Sequence, residues 1–265
     1  MAYTLTYNRH TMKCILVTPR AQSWIGNGRS ARILHLFEKV INLVDEDGDV
    51  LSLSPIDLGP GPFTMIMDQD FPHVIPHIGL HDVVNLNPTN HSIIIGALHI
   101  ETGPAPVWEP RPQWTLLRRS IIDSDIMAGS LPPALEAYLQ NLLTAVRSDD
   151  WAAGRMAATA LAGLGKGLTP AGDDVLMGVL FALWVWAPRS VWIDLIVDWA
   201  APLTTTLSAA YLHAAAAGEA TIHWHNLVAG KADAVDEILS IGHSSGNDAW
   251  AGFAAAFNSL GRKFS

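Results

Sequence analysis

Residues 163–174 read Gly163-Leu-Gly-Lys-Gly-Leu-Thr-Pro-Ala-Gly-Asp-Asp174, and they run directly into the apolar segment 175–187. Glycines such as Gly165 and Gly167 tolerate positive φ and let the backbone approach a ligand closely. Thr169 and the proline after it are typical of a helix N-cap and first helical residue. The stretch therefore predicts a glycine-rich loop that leads into a buried central helix, which is shorter than the ~20 residues needed to span a bilayer.

The same loop carries groups that suit an anionic ligand. Free N–H groups at a helix start bind anions, and Lys166 adds a positive charge. Asp173 and Asp174 could hold Mg²⁺ or accept a proton, and the sequence leaves the cofactor open. The spacing is not that of a P-loop, because the lysine lies between two glycines. The alternative is a glycine-rich turn whose threonine and aspartates only cap the helix and complement its dipole.

The composition excludes several classes of protein. The chain has 265 residues, of which 49% are hydrophobic and 15% are charged, so it can form one large domain or two lobes and is not mainly disordered. A formal net charge of −9 argues against nucleic acid or a membrane surface as a partner. Cys14 is the only cysteine, and no secretory leader pattern opens the sequence. We therefore expect a cytoplasmic protein.

The two halves of the chain differ in character. The N-terminal half alternates β-like runs with turns, namely 39–44, 50–53, 63–67 and 92–98. The first two runs, with the turn 45–48 between them, predict a hairpin. The C-terminal half contains alanine- and leucine-rich segments with helical spacing, namely 131–146, 151–164, 170–187, 191–218, 226–231 and 249–260. We predict an α+β protein with a β-rich N-terminal lobe (1–128) and a mostly α-helical C-terminal lobe (129–265) that carries glycine-rich loops.

A second glycine and hydroxyl cluster, Gly242-His-Ser-Ser-Gly-Asn-Asp248, precedes the last helical segment. Ser244 or Ser245 can cap that helix, and His243 can exchange a proton near neutral pH. Alternatively, His243 only bonds a neighbouring loop. The pattern formally fits the Gly-x-Ser-x-Gly of hydrolases, but residues 236–240 look helical, so a hydrolase nucleophile is disfavoured.

Two further polar groups have competing interpretations. Residues 204–208, Thr-Thr-Thr-Leu-Ser, lie within a predicted helical run. Their hydroxyls either bond back to carbonyls one turn earlier, or Thr205, Thr206 and Ser208 face the cavity of the glycine loop and bind substrate. His223 and His225 share a face only if their segment is extended, and two ligands do not make a zinc site. We therefore predict no metal site there.

These motifs resemble a bacterial family whose members are sometimes labelled carboxylases, and which includes a subunit of oxamate carbamoyltransferase. The resemblance covers nearly the whole chain. Besides 163–174, Thr-x-x-Ser at 205–208 and Gly-His-Ser-Ser-Gly at 242–246, it rests on Asn-Gly-Arg-Ser at 27–30, Val-Asp-Glu-Asp-Gly at 44–48 and Gly-Pro-Gly-Pro at 59–62.

The resemblance implies carbamoyl transfer between phosphate and oxamate, giving or cleaving oxalurate, in allantoin and purine catabolism. It also implies a complex with FdrA-type and other subunits, which acts on a small anionic metabolite. The implied catalytic residues are Asp173, Asp174 and His243. The candidate substrate-binding residues are Gly165, Lys166, Gly167, Thr169, Thr205, Ser208, Ser244 and Ser245.

Two alternatives stay open. In one, the chain is a non-catalytic subunit that binds an acidic metabolite or organises its partners. In the other, it is a carboxylase or ligase, although the sequence contains no recognisable ATP loop or biotin-type motif.

Overall fold

The computed structural model describes residues 10–68, 71–89, 91–120 and 130–264. They form two compact units that divide between Pro110 and Arg111. The first unit is rich in strands and the second is mostly helical, which confirms the predicted α+β class. The predicted lobe boundary at 128–129 falls outside the described residues and stays a prediction. Among the described helices, none is long and apolar enough to cross a membrane.

The N-terminal unit contains a closed β-barrel. Its strands in the described residues are β1 (His10–Val17), β2 (Ala31–Leu36), β3 (Ile41–Asp45), β4 (Val50–Pro55), β5 (Thr64–Met67), β6 (Val84–Asn87), β7 (Ser92–Ile95) and β8 (Leu98–Glu101). Around the barrel they follow the order β1-β5-β4-β3-β2-β6-β7-β8. Neighbouring strands are antiparallel except for the pairs β1–β8 and β4–β5. The α-helices in the described part of this unit are α1 (Pro19–Asn27) and α2 (Phe71–Val74).

The predicted hairpin over residues 39–53 is confirmed as β3 and β4. Its turn is held by the carboxylate of Asp45, whose Oδ1 accepts the N–H groups of Asp47 at 3.0 Å and Asp49 at 2.9 Å. Arg29 offsets the negative charge of this turn, because its guanidinium lies 2.6 Å from Asp47 and 3.3 Å from Asp45. Gly48, at φ +89°, supplies the left-handed backbone that the turn requires.

The run at 92–98 is two strands and not one. The chain turns at Gly96, whose φ of +54° suits glycine, and β7 pairs with β8 as an antiparallel hairpin. A continuous β-branched and apolar pattern hides this turn, because the apolar residues continue through it.

The helical unit contains most of the predicted helices. Its elements in the described residues are α3 (Leu117–Ser120), α4 (Pro133–Ser148), α5 (Trp151–Leu161), α6 (Ala171–Trp186), α7 (Val191–Ala200), α8 (Thr206–Ala216), α9 (Ile222–Val228), α10 (Ala234–Leu239) and α11 (Ser245–Phe264). The prediction of one continuous helical segment over residues 191–218 is wrong. A 3-10 turn, Ala201–Leu203, and the extended Thr204 separate α7 from α8.

Helix α6 is the buried centre of this unit and packs directly against α11. A Cβ atom at Gly178 would overlap the carbonyl oxygen of Ala249, and one at Gly252 would overlap the carbonyl oxygen of Val175. The two backbones therefore touch, which only a residue without a Cβ permits.

Helices α6 and α11 run in the same direction. At their beginnings, Thr169 Oγ1 and Ser245 Oγ lie 2.8 Å apart. Further along, Trp186 packs on Phe257 with ring centroids 5.0 Å apart. Both N-termini therefore lie at the same end of the helical unit.

Replacing Gly178 with alanine should destabilise the protein by about 2 kcal/mol or more, because the added methyl forces two touching backbones apart. Gly26→Ala is the matched control, since this glycine of α1 has open space around its Cα and negative φ. We expect Gly26→Ala to leave stability unchanged or slightly higher. Denaturant unfolding measures the stability of both variants. Equal unfolding midpoints would contradict the direct backbone contact between α6 and α11.

Candidate functional site

Helix α8 also begins beside the glycine-rich loop. The hydroxyl of Thr205, directly before α8, donates to the Leu168 carbonyl at 2.6 Å. At the other end, Trp184 of α6 donates its Nε1–H to the Ala215 carbonyl of α8 at 2.9 Å. Helices α6, α8 and α11 are therefore parallel, and their three N-termini converge on loop 163–170. Each N-terminus carries partial positive charge, so together they favour an anion.

The loop itself needs its glycines. Gly163, Gly165 and Gly167 have φ values of +68°, +130° and +98°. A Cβ at Gly165 would lie 2.7 Å from the backbone nitrogen of Ala171, the first residue of α6. This close approach is to the chain's own helix start, and the predicted approach of the loop backbone to a ligand stays a prediction. Lys166 is exposed on this loop and forms no ion pair with a described residue.

Asp173 holds the loop in place. Its Oδ1 accepts the N–H of Gly163 at 2.9 Å, and its Oδ2 accepts the hydroxyl of Thr204. The side chain is only 3% exposed. Because both carboxylate oxygens are already bonded, Asp173 fastens the start of the loop to the segment between α7 and α8. This contact is a structural role that the sequence did not predict.

Asp174 has a different environment. It is 5% exposed, and its Oδ2 has no hydrogen-bond partner among the described residues. Burial raises the pKa of Asp174 to about 8, a hydrogen bond from Ser245 opposes that rise, and the charges of Asp248 and Asp173 add to it. At neutral pH this carboxyl therefore holds its proton and can deliver it.

Two residues that sequence reasoning missed lie near this carboxyl. Asp248, in the first turn of α11, is 8% exposed, and burial raises its pKa while a hydrogen bond from Ser244 opposes that rise. Burial, together with the charge of Asp174, raises the pKa of Tyr211 to about 12. Asp248 is the last residue of the cluster 242–248. Its position in the first turn of the helix that follows was the sequence signal that could have identified it.

Several predicted roles differ from the structure. The side chain of Thr169 does not cap α6, because the helix begins one residue later and the hydroxyl bonds Ser245 instead. Thr205 is an N-cap and not a helix-interior residue, since its hydroxyl accepts the N–H of Ser208 at 3.1 Å. Ser208 Oγ in turn lies 3.4 Å from the Leu168 carbonyl that it donates to. Both hydroxyls therefore contact the glycine loop, and their predicted binding of substrate stays a prediction.

The structure brings together only part of the predicted site. His243 and Ser244 are exposed on the turn directly before α11, and no hydrogen bond joins His243 to Asp173 or Asp174. His223 and His225 lie on α9, so the extended geometry that would align them is absent. Within the described residues, no group of three His, Cys, Asp or Glu side chains could hold a metal ion. The oxygens of Asp173 are also already bonded, which disfavours Mg²⁺ between Asp173 and Asp174.

A cavity of about 350 Å³ opens in the N-terminal unit. Its lining includes the apolar Val17 and Ile25, and its polar members are Gln22, His91 and Thr102. Since the described lining contains no lysine or arginine, it suits an anionic substrate less well than the convergent helix N-termini do.

Replacing Asp174 with asparagine should stabilise the protein at high pH relative to the natural chain. The folded pKa, about 8, lies above the ordinary value of 3.8. The unfolded chain therefore loses this proton first, and stability falls as pH rises between those values, by up to ~1.4 kcal/mol per pH unit. Asparagine lacks this dependence, so the difference in Tm between Asp174→Asn and the natural chain should widen from about pH 5 to about pH 8.

The matched control is Asp198→Asn, which changes an exposed aspartate on α7. The Tm of Asp198→Asn should differ from that of the natural chain by the same amount at each pH. A pH-independent difference in Tm for Asp174→Asn would show that the folded protein carries Asp174 in the ionised form.

Comparison with known proteins finds a family model that matches each of the two units. No solved structure matches the chain. The family model described as oxamate carbamoyltransferase subunit AllH matches residues 161–257, which include the glycine loop and the first turns of α6, α8 and α11. The model described as the AllH family N-terminal domain matches residues 11–107, which include the barrel strands. Because the two matches cover most of the chain, this protein belongs to the AllH family of oxamate carbamoyltransferase subunits.

Proposed function

We propose that this chain is a subunit of an oxamate carbamoyltransferase-like complex in allantoin and purine catabolism, and that loop 163–170 binds the anionic substrate. The observation that carries the proposal is the buried Asp174, which lies where three helices begin and has one carboxyl oxygen without a partner among the residues that the structure describes. A proton donor and an anion-binding environment are thereby combined in one place.

The charges of the reactants fit this arrangement. Phosphate, carbamoyl phosphate, oxamate and oxalurate are all anions, which the convergent helix N-termini and the exposed Lys166 attract. Elsewhere on the protein, the net negative charge of the chain would repel these anions. Gly165 and Gly167 keep side chains away from the loop backbone, so an anion can approach its N–H groups closely.

The reaction needs one well-placed proton. In phosphorolysis, a phosphate oxygen attacks the carbamoyl carbon of oxalurate, the bond from that carbon to the amide nitrogen breaks, and oxamate leaves. An amide nitrogen is a poor leaving group unless it is protonated as it departs. Asp174 donates that proton and recovers one from the attacking phosphate, so the group returns to its initial state. No covalent intermediate is required, because positioning and charge stabilisation carry the transfer.

A non-catalytic subunit is the second candidate. It is favoured by the observation that Asp173, Thr205 and Ser208 all bond to the chain's own loop or to its neighbouring segment. In that case the loop binds an acidic metabolite, or positions FdrA-type and other subunits, and the chemistry takes place on another chain.

Asp174→Asn distinguishes the two candidates. The variant and the natural chain are each co-purified with the other subunits of the complex. Oxalurate phosphorolysis is then followed as carbamoyl phosphate formation. If Asp174 is the proton donor, kcat falls at least ~100-fold while the complex still assembles. Asp198→Asn serves as the control and should retain full turnover.

Equal turnover by Asp174→Asn and the natural complex would contradict the proton-donor role and support the non-catalytic subunit. A raised KM with unchanged kcat would point to substrate binding alone.

A further inference from the structure

The first turns of α6 and α11 carry the same sequence pattern. The first helix contains Gly172-Asp-Asp-Val-Leu-Met-Gly178 and the second contains Gly246-Asn-Asp-Ala-Trp-Ala-Gly252, so both fit Gly-(Asp/Asn)-Asp-x-x-x-Gly. In each helix the pattern begins at the second residue. Asp174 and Asp248 therefore occupy the same position, the fourth residue, of their helices.

The first glycine of each pattern packs against the end of the preceding helix. A Cβ atom at Gly172 would overlap the carbonyl oxygen of Leu161 at the end of α5, and one at Gly246 would overlap that of Ile238 near the end of α10. In both places the N–H of the glycine donates to the carbonyl three residues after that leucine or isoleucine, at 2.8 Å and 3.0 Å. The backbone that leads into α6 is therefore repeated before α11.

The second glycines make reciprocal contacts. Gly178 of α6 lies against the carbonyl of Ala249, and Gly252 of α11 lies against the carbonyl of Val175. Since Val175 and Ala249 hold the same position in the two patterns, exchanging the helices leaves these contacts unchanged. The two parallel helices are therefore related by an approximate two-fold axis that runs between them.

This axis pairs Asp248 with Asp174, the acid of the proposed function. Both side chains are buried, at 8% and 5% exposed, in helical turns that begin at the same end of the unit. One oxygen of Asp174 has no partner in the described part of the chain, and a bound substrate can satisfy a buried oxygen of this kind. We propose that Asp248 is a second catalytic carboxyl, which acts on the same substrates as Asp174. This assignment rests on the proposed function.

Two carboxyls match the two proton transfers of phosphorolysis. The attacking phosphate loses a proton as its oxygen bonds to the carbamoyl carbon, and the amide nitrogen gains a proton as its bond to that carbon breaks. Asp248 accepts the first proton and Asp174 donates the second. The proton on Asp248 then passes to Asp174, which restores both groups. Oxalurate and phosphate thus become oxamate and carbamoyl phosphate without any further reactant.

The two halves of the repeat differ in the groups beside each carboxyl. The loop before α6 is the longer one and carries Lys166, whereas the turn before α11 carries His243. Directly before the shared aspartate, α6 has a carboxylate, Asp173, and α11 has an amide, Asn247. The paired carboxyls therefore have different surroundings, as different roles in one reaction require.

Asp248→Asn in the assembled complex tests the assignment. We expect kcat per assembled complex to fall at least ~100-fold, with little change in the KM of oxalurate. The matched control is Asp236→Asn, which removes an exposed aspartate from the first turn of α10 and so loses the same type of helix-dipole interaction. Dividing the rate by the amount of assembled complex separates chemistry from folding, because a misfolded variant lowers that amount and not kcat.

Two further measurements distinguish a catalytic role from a structural one. Asp248→Asn should lose the rise of kcat with pH that the natural complex shows, because asparagine has no proton to lose. The double variant, Asp174→Asn with Asp248→Asn, should be little slower than either single variant, since both carboxyls serve the same transfer. A structural role predicts an unchanged pH profile and effects that multiply.

The outcomes separate this inference from the proposed function. Equal kcat values for Asp248→Asn and Asp236→Asn, with Asp174→Asn inactive, would overturn the role of Asp248 and leave the proposed function in place. If the natural complex does not turn over oxalurate, the proposed function fails, and the role of Asp248 fails with it.

Discussion

The direct backbone contact between α6 and α11 determines the rest of the helical unit. It exists because Gly178 and Gly252 carry no side chains where the helices cross. With the two helices parallel and this close, their first turns must share one small volume. The carboxyls of Asp174 and Asp248 are thereby removed from water together, and their interaction is a consequence of the crossing.

Two opposing electrostatic effects act on Asp174. A helix N-terminus favours a negative charge in its first turn, which lowers the pKa of a carboxyl there. Burial beside a second carboxyl has the opposite effect. Burial has the largest effect and raises the pKa of Asp174 to about 8, although a hydrogen bond from Ser245 lowers it. The protein thus maintains a neutral acid at neutral pH in a place where anions are attracted, which a surface carboxylate could not do.

Local patterns in the sequence were sufficient for the fold class, for the β3–β4 hairpin and for the glycine loop before α6. Each of these depends on neighbouring residues alone. The break between α7 and α8 had a local signal that the predicted run passed over, because Pro202 lies in the 3-10 turn and Thr204 is the first of three consecutive threonines. That threonine leaves the helix to bond Asp173, which is 31 residues away in the chain, and only the folded structure shows such a partner.

Asp173 and Asp174 show why the site was harder to predict than the fold. They are adjacent and chemically identical, so no pattern in the sequence could assign them different roles. Consecutive residues on a helix point about 100° apart. One carboxyl therefore meets Gly163 and Thr204, and the other meets the first turn of α11. The first accepts a hydrogen bond on each oxygen and shapes the loop, whereas one oxygen of the second has no partner within the described part of the chain. A single Asp-Asp pair thus supplies both a fastening for the loop and a buried carboxyl whose pKa is raised, and the helix geometry keeps the two apart.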